Sequence, residues 1–594
     1  MGSAGPDRCS LHLDRRLPEA HSGHGNARSG GHCADHGGCK RPGREVSAGP
    51  DDRADSGRCA RRESTVNSEI NAALVDAFRY VVPEIILAAA ACVLFLGATI
   101  RAGRHLWGAV SVLALLVAGV AWWYSPQTNL SAAAVYSGPV FLDSLGFLVK
   151  GVALAGGLVL VLASWDEVPD RQAAEYYACL LIIIAGLCLT AVANELITLF
   201  LALELISIPT YVLLYLPRSD TAAHEAAVKY FLLSVFASAS LLFGFSYLYG
   251  LAGTTNIPAL IETLLATSAP GENPGPPGIA RVALVMIVAG LGFRITAVPF
   301  HFYAPDVYQG SPTVAAALLA FVPKVAGFVA LVRVLGFVLA GHAGSGLALG
   351  AEVPGLFYLL AVVSMSLGNL LGLLQDNLKR LLAYSSVAHA GYMLIGLAVA
   401  PQLFHMGAAS GSQKPELVGG IDAVLFYLVG YGAMTVGAFA VLAYLSTPQR
   451  PVENVDDLAG LSRSHPGTAL LMALFLFSLI GIPLTAGFMG KLLLFFGAVA
   501  APGGEDHPWW FKILAFIGVL NAAVGAWYYL RVLAVMYLRT PIKPLDQGRS
   551  WPGLTAVWIC AAVTLAFGLY PRPLAEAARR SAGAPAGTEL RADR

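Results

Sequence analysis

The chain has 594 residues, of which 56% are hydrophobic and only 13% are charged. This balance is far from that of a soluble globular domain and excludes an ordinary water-soluble enzyme. The formal net charge of +1 is too small to point to any class of partner.

The first 65 residues differ from everything that follows. They are rich in Arg, Gly, His and Asp, contain almost no apolar run, and lack the apolar core of a signal peptide. Cys33, His36 and Cys39 could suggest a metal site, but a Gly-rich segment with two thiols favours disorder. An over-extended gene start, with translation beginning near Val66, would explain both the composition and the charge. We therefore expect residues 1–65 to be disordered or spurious.

Beyond this segment, apolar runs of about 20 residues recur, and each is long enough to cross a hydrocarbon core of about 30 Å. They predict an all-α, polytopic membrane protein of about fourteen transmembrane helices. One run is too long for a single straight span and contains Gly481-Ile482-Pro483, so we expect that helix to be broken. The predicted spans are 80–100, 105–124, 139–164, 175–193, 195–216, 222–250, 280–300, 312–339, 354–376, 380–400, 421–447, 467–500, 509–538 and 553–571.

The loops predict the orientation of these spans. Lys and Arg concentrate in the loops after the first, third, fifth, ninth, eleventh and thirteenth spans, for example Arg101, Lys379 and Arg539. The positive side of a multi-pass protein is cytoplasmic. The first span therefore enters from outside, and an even number of spans places both termini outside the cell membrane.

The stretch Gly290–Lys324 departs most from an ordinary span. It places Arg294 deep in an apolar run, breaks its helix at Pro299, continues through His301, and carries Lys324 on the helix that follows. A charge at the bilayer centre costs several kcal/mol, so such residues usually face a polar interior and have a function. Broken helices with charges at mid-depth are typical of transporters.

Two parts of the chain resemble each other. Residues 166–340 hold five predicted spans with a Glu in the second, a break in the fourth and a Lys in the fifth. Residues 341–540 hold five more with a charged start to the second and a break in the fourth. An odd period inverts the second copy across the membrane, which predicts two inverted five-helix repeats with a pathway at their interface. Outside them lie residues 66–165, with three spans, and 541–594, with the last span and the C-terminal tail.

Several buried charges share one depth. At about 1.5 Å per residue, Glu204, Arg294, Lys324 and His389 lie about 14–21 Å into their spans. Groups at one depth on successive helices form a line in the membrane plane rather than a pore across it. This arrangement favours lateral charge coupling.

Glu204 and Lys229 each allow an interpretation without a function in transport. Glu204 could be a carboxylate neutralised by protonation in an apolar site. Lys229 could pair with Glu225, four residues before it on the same helix face, alongside or instead of a functional pairing with Glu204.

The histidines and the distal lysine also allow two interpretations. His301 could carry protons or could satisfy carbonyls freed by the break at Pro299. His389 could be a relay or could simply be hydrogen-bonded to Ser385 and Tyr392. Lys491 follows the second break, and a desolvated lysine there can change its charge state readily, so we favour a function.

Two other charges stay outside the predicted site. Lys150 shares a face with Asp143 and lies outside the repeats, so packing is the better interpretation. Arg531 could pair with headgroups or with a loop acid and is left unassigned.

Some functional motifs are missing from the sequence. There is no G-x-G-x-x-G after a strand, no phosphate loop, no cysteine set for an iron–sulfur cluster and no histidine pair spaced for haem. The chain is therefore expected to move charge without carrying out redox chemistry or nucleotide hydrolysis. Its energy must come from an ion gradient or from a partner.

Five motifs in order carry a resemblance to a known family. They are ALELISIPTYVLLYL, KYFLLSVFASASLLFGFSYLYG, GFRITAVPFHFYAPDVYQGSPT, KRLLAYSSVAHAGYMLIG and GIPLTAGFMGK. Over about Ala73 to Pro573, the chain resembles the antiporter-like subunit N family of bacterial NADH:quinone oxidoreductase, or respiratory complex I.

The resemblance implies fourteen helices, two inverted repeats and proton pumping driven by electron transfer from NADH to quinone. It implies that Glu204 and Lys229 form the charged pair of the first half, that Lys324 and His389 connect the halves, and that Lys491 is the distal site. NADH, FMN, iron–sulfur clusters and quinone would be bound by partner subunits, with no cofactor or metal in this chain. The partners would be other complex I subunits and the lipid bilayer of a bacterial inner membrane, not nucleic acid.

Arg294 departs from the family, which usually has lysine between GF and VPFH. An arginine does not give up its proton, so position 294 is expected to supply a fixed positive charge. The main alternative function is a subunit of a multi-subunit cation/proton antiporter on the same fold. A membrane scaffold, whose charges only hold the bundle together, is the other.

Overall fold

The computed structural model describes residues 78–100, 102–125, 138–216, 220–266, 278–335, 349–409, 419–447, 451–501, 509–541 and 551–582. The N-terminal 65 residues, with the cysteines and histidine considered as metal ligands, lie outside these ranges. Over the described ranges the protein is helical and contains no β-strand beyond three isolated bridges. The all-α class predicted from the apolar runs is therefore confirmed.

The helices follow the predicted spans closely. Among the described residues, eleven helices are long and apolar enough to cross a membrane. In chain order the helices are α1 Val82–Gly97, α2 Arg104–Trp123, α3 Ser144–Ala163, α4 Ala173–Val192, α5 Leu196–Tyr215, α6 Thr221–Ala252, α7 Ile257–Ala266, α8 Gly278–Arg294, α9 Ala304–Gly310, α10 Thr313–Val334, α11 Leu349–Leu373, α12 Leu378–Ala409, α13 Ile421–Leu445, α14 Leu461–Ser464, α15 Pro466–Ile480, α16 Ala486–Ala500, α17 Trp510–Leu538, α18 Trp551–Leu569 and α19 Arg572–Ala582.

Both predicted breaks are present. The first separates α8 from α9, and its backbone is held by neighbours: Val298 N–H donates to Ser364 Oγ at 3.0 Å, and Tyr303 Oη donates to the Phe293 carbonyl at 3.0 Å. The second separates α15 from α16 at Gly481, whose φ of 94° favours glycine. Backbone groups freed inside a membrane must find such partners within the protein, because the hydrocarbon core contains no water to form hydrogen bonds with them.

Helix α10 is the centre of the bundle. The apolar stretch of α10 is buried along its whole length, and the helix packs against α4, α5 and α8 of the first half and against α12 and α13 of the second. Its first turn is capped by Glu167, whose carboxylate oxygens accept from the backbone N–H groups of Thr313 (2.5 Å) and Val314 (2.8 Å). The position of this helix places Lys324 between the two halves of the chain.

The two halves share a backbone feature at the start of their second spans. Before α5, Leu196 N–H donates to the Thr255 carbonyl at 2.9 Å, and Ile257 N–H donates back to Asn194. Before α12, Leu378 N–H donates to the Glu453 carbonyl at 2.7 Å, and the Val455 N–H donates back to Asp376. In both places a short helix begins directly after the bridge.

Candidate functional site

A buried ion pair lies at the end of α8. Arg294 Nη2 is 2.9 Å from Glu204 Oε1 on α5, and the Arg294 side chain is 4% exposed. The same guanidinium donates to Ser207 Oγ at 2.7 Å and to the Leu203 carbonyl at 3.1 Å. Ser238 Oγ on α6 donates to Glu204 Oε1 at 2.5 Å. The positive and negative charges are thus paired and further hydrogen-bonded, which a buried ion pair needs to be tolerated.

Lys229 makes no ion pair with Glu204, so the implied Glu204–Lys229 pair is not a direct contact, and its role in proton transfer stays a prediction. Ser238, which faces Glu204, follows Lys229 by nine residues on α6, about two and a half turns and about 14 Å further along the axis. Lys229 therefore points to a different face and a different depth. Its ammonium lies 2.6 Å from Glu225 and 2.9 Å from Asp306, and its side chain is 40% exposed. The alternative pairing with Glu225 is the one that forms.

Asp306 on α9 links the two halves. Its Oδ2 accepts from Lys229, and its Oδ1 accepts from Arg380 Nη1 at 2.6 Å. Arg380 belongs to α12, and its guanidinium also reaches Gln309 Oε1 at 3.0 Å. This network is partly exposed, in contrast to the buried pair at Arg294.

His301 lies in the break between α8 and α9. Its Nδ1 is buried and has no hydrogen-bond partner among the described residues. The Phe293 carbonyl near the break is taken by Tyr303. The imidazole also hydrogen-bonds to the backbone of Pro299, which favours the interpretation that His301 satisfies a carbonyl at the break.

Lys324 is surrounded by hydroxyl and carbonyl oxygens. Its Nζ donates to the Ser386 carbonyl at 2.5 Å and to Ser386 Oγ at 2.6 Å, and lies 4.6 Å from the centre of the Tyr431 ring. Tyr431 Oη in turn donates to Ser386 Oγ at 2.9 Å. The lysine is 1% exposed, and in the described part of the chain no carboxylate lies within ion-pair distance of it.

His389 on α12 is hydrogen-bonded to two tyrosines from other helices. Its Nδ1 is 2.6 Å from Tyr427 Oη and its Nε2 is 3.3 Å from Tyr529 Oη. Ser385 bonds to Tyr529 rather than to the histidine, and Tyr392 meets the imidazole edge-on at 5.6 Å between ring centres. The expected hydrogen bonds from His389 to Ser385 and Tyr392 are therefore not formed.

Lys491 on α16 reaches back to the second break. Its Nζ donates to the carbonyls of Leu479 (2.8 Å) and Ile480 (2.9 Å), which the end of α15 leaves without helical partners. The ammonium also lies 4.9 Å from the centre of the Tyr392 ring. A Cβ at Gly487 would lie 1.9 Å from the Ser478 carbonyl, so this close approach of α16 to α15 requires glycine.

Aromatic contacts connect the two lysines. Lys324 lies over Tyr431, the Tyr431 ring is 5.4 Å from His389, His389 is 5.6 Å from Tyr392, and Lys491 lies over Tyr392. The structure thus brings Lys324, His389 and Lys491 into one buried row. Glu204 and Arg294 form a separate pair on α5 and α8.

Lys150 and Arg531 lie outside this row. Lys150 Nζ is 2.6 Å from Glu84 Oε1 and donates to the Tyr80 carbonyl, which ties α3 to α1. Asp143, the expected neighbour of Lys150, instead pairs with Arg333 at 2.8 Å. Arg531 pairs with Asp376, a loop acid, at 3.2 Å.

Sequence reasoning missed the hydroxyl groups that surround the charges. Their spacing gave only a weak signal: Ser207 follows Glu204 by three residues, which puts both on one helix face. The others come from different helices and could not be placed without the fold. They are Ser238, Ser386, Tyr427, Tyr431 and Tyr529. Among the described residues there is no group of three side chains that could hold a metal ion.

Comparison with known proteins identifies the family. The family described as NADH:quinone oxidoreductase/Mrp antiporter, TM, matches residues 193–520. NADH-quinone oxidoreductase subunit N 1 of Solibacter usitatus is 36% identical over 513 residues, 85% of this chain and 97% of the relative.

Two solved structures resemble this chain, and the first agrees with the family assignment. A chain of respiratory complex I from Thermus thermophilus with bound aureothin is 30% identical, has a TM-score of 0.66, and is matched over 83% of this chain and 98% of its own length. A chain of the Mrp complex from Dietzia is 19% identical, with a TM-score of 0.68 over 85% of this chain and 97% of its own, and shares the fold alone. The chain belongs to the NADH-quinone oxidoreductase subunit N family.

Proposed function

We propose that this chain carries protons across the membrane as a subunit of NADH-quinone oxidoreductase, driven by electron transfer from NADH to quinone in other subunits. The observation that carries the proposal is the buried row in which Lys324 and Lys491 are joined through His389 and two tyrosine rings. A lysine ammonium can release its proton, and a histidine between two lysines can accept and return one.

The first half has a different role in this proposal. Arg294 is a fixed positive charge, because a guanidinium is not deprotonated in proteins. Its pairing with Glu204 forms a neutral ion pair. Separation of the two charges would change the electric field at Lys324 on α10. His301, which lies in the break between α8 and α9, passes the proton that Arg294 cannot pass.

Lys229 acts at the edge of the pathway rather than at its centre. Its ammonium is partly exposed and is shared between Glu225 and Asp306. We assign it to the charged network at the positive side, where it holds α6 against α9 near the first break.

The fold proposed for this function has fourteen spans in two inverted five-helix repeats. Three observations support it. The packing of α4, α5, α6, α8 and α10 on one another has a counterpart in the packing of α11, α12, α13, α15 and α17. Each set contains a broken helix, and each has the reciprocal backbone bridge before its second helix. The loop charges support both termini outside.

The electron-transfer cofactors are assigned to partner subunits. NADH, FMN, iron–sulfur clusters and quinone have no counterpart in the side-chain chemistry of the row, which offers lysines, hydroxyls and one histidine. The chain therefore supplies translocation to the enzyme, and the redox steps take place elsewhere in the complex.

The test is NADH-driven proton uptake in inverted membrane vesicles from a strain that lacks the native gene and expresses the chain or a variant. The native chain should restore proton uptake, and Lys491→Met should abolish most of it while the complex still assembles. A subunit inventory of the purified complex should contain hydrophilic redox subunits. Co-purification with antiporter subunits alone, and proton movement driven only by a cation gradient, would replace complex I with the antiporter alternative.

A further inference from the structure

A buried amide outside the charged row holds tyrosines that stand beside its middle and its distal end. Asn369 on α11 is 1% exposed, and all of its side-chain groups are used. Its Nδ2 donates to Tyr392 Oη and to the Asn521 carbonyl, both at 3.0 Å, and its Oδ1 accepts from Tyr528 Oη at 3.1 Å. Three helices, α11, α12 and α17, meet at this one side chain.

The two tyrosines that Asn369 holds stand near Lys491 and near His389. The Tyr392 ring is the face over which Lys491 Nζ lies. Tyr528 packs against Tyr529 with 4.4 Å between ring centres, and Tyr529 Oη lies 3.3 Å from His389 Nε2. One amide therefore fixes the partner of the lysine and supports the partner of the histidine.

The chemistry of the amide sets the direction of the hydroxyl protons. An amide nitrogen can only donate and an amide oxygen can only accept. Tyr392 must therefore accept from Asn369, which leaves the Tyr392 proton for another group. Tyr528 must donate to Asn369, which leaves its lone pairs for a neighbour. Such a fixed polarity is what a chain of hydroxyls needs if protons are to move along it in order.

The helix that receives the amide is shaped for it. Asn521, Gly525 and Tyr528 recur at helical spacing and share one face of α17. A Cβ at Gly525 would lie 2.8 Å from Asn369 Oδ1, so only glycine leaves room for the amide.

We propose that Asn369 is a positioning residue for proton transfer between His389 and Lys491, and that it acts by holding Tyr392 under Lys491 and Tyr528 against Tyr529. The proposal rests on the proposed function of the row. Asn369 touches neither lysine and carries no proton itself. Its loss should lower the number of protons pumped per electron without stopping electron transfer.

The experiment compares Asn369→Leu with Asn521→Leu in the assembled complex. Both replace a buried amide by a side chain of similar volume, but the Asn521 amide donates to Ser366 Oγ and to its own helix and does not touch either tyrosine. We expect Asn369→Leu, which removes three buried hydrogen bonds, to reduce proton uptake per NADH oxidised by at least about twofold, the effect of losing one of them. Asn521→Leu should keep the native ratio.

Two results would overturn the proposal. One is a native ratio in assembled Asn369→Leu; the other is an equal loss in Asn521→Leu, which would show that any buried amide in this cluster matters only for packing. If Asn369→Leu fails to assemble, Tyr392→Phe carries the test, since it keeps the ring under Lys491 and removes the hydroxyl that Asn369 holds. A native ratio in Tyr392→Phe then overturns the proposal.

The proposed function fails in a distinguishable way. If the row does not carry protons, Lys491→Met pumps as the native chain does. If only the role of Asn369 is wrong, Lys491→Met loses pumping and Asn369→Leu keeps it.

Discussion

Two clusters accommodate buried charge differently: the Glu204–Arg294 pair, here called the first side, and the row of Lys324, His389 and Lys491, here called the second side. On the first side, Arg294 faces the carboxylate of Glu204 and is further bound by Ser207. On the second side, Lys324 and Lys491 rest on backbone carbonyls, hydroxyls and tyrosine faces, with no carboxylate within ion-pair distance in the described chain. The first arrangement suits a charge that stays in place. The second suits a lysine that gains and loses its proton.

The difference follows from the chemistry of the two cations. A guanidinium keeps its proton, so a buried arginine needs a permanent counter-charge. A lysine can be buried as a neutral amine, so carbonyls and aromatic faces suffice as partners. The arginine at position 294 therefore lies where the molecule provides a carboxylate.

The largest expected effect comes from removing the counter-charge of the first side. Glu204→Ala leaves Arg294 charged, buried and unpaired, which costs about 3–5 kcal/mol of stability in comparable buried pairs. We expect proton uptake to fall to background and the thermal stability of the complex to drop. The measurement is vesicle proton uptake together with a melting curve of the purified complex.

The control for this variant is Glu225→Ala, which removes an exposed acid that pairs with Lys229. It should keep most of the proton uptake. A Glu204→Ala complex that melts and pumps as the native one does would show that Arg294 needs no counter-charge.

A second prediction replaces lysine by arginine in the row and arginine by lysine in the ion pair. Lys324→Arg and Lys491→Arg keep the positive charge but cannot release a proton, so proton uptake should fall by about tenfold or more. Arg294→Lys also keeps the charge, and it should retain at least about half of the uptake. Uptake is measured at equal amounts of assembled complex.

The comparison between the sides predicts this opposite response to the same chemical change. Equal losses in all three variants would mean that side-chain shape, and not proton release, decides the result.

A third prediction concerns which residues act as one unit. Residues in one ion pair show coupling energies of about 0.5–3 kcal/mol, whereas residues without a shared partner add. Glu204→Ala combined with Arg294→Ala should therefore be little worse than either single variant in stability. Glu204→Ala combined with Lys229→Ala should show additive losses, because the two side chains have different partners. Melting of the single and double variants measures both cycles.

The smallest effect is expected at Lys229 alone. Exposed ion pairs contribute about 0.2–1 kcal/mol and weaken with salt. Lys229→Ala should lower proton uptake only partly, and the difference from the native chain should shrink at high salt. A complete and salt-independent loss would return Lys229 to the centre of the mechanism.

Much of the fold and part of the site could be predicted from the sequence. The length of the apolar runs predicted the helices, and Pro299 and Gly481-Ile482-Pro483 predicted the two breaks, because both features act within a few residues of the chain. The pairings could not be predicted in the same way. Lys229 is nearer than Arg294 to Glu204 in the sequence, but it lies on a different face of α6 from the one that meets Glu204. Arg294 reaches Glu204 from a later helix.

The hydroxyl partners were hidden for a related reason. Ser385 and Ser386 are adjacent in the sequence, yet one binds Tyr529 and the other binds Lys324, because successive residues on a helix point about 100° apart. Tyrosines occur throughout apolar helices, so the sequence does not show which of them contact the row and which only pack against other helices. Only the relative rotation of α12, α13 and α17 decides which of them meet His389.

Helix α11 gives the molecule a mechanical connection. Its Ser364 accepts from Val298 in the first break, and its Asn369, little more than one turn later, holds the tyrosines near His389. A shift of this helix by about 1–2 Å, the size of ordinary helix movements in switching proteins, would strain both attachments at once. Helix α11 therefore connects the first break mechanically to the tyrosines near His389.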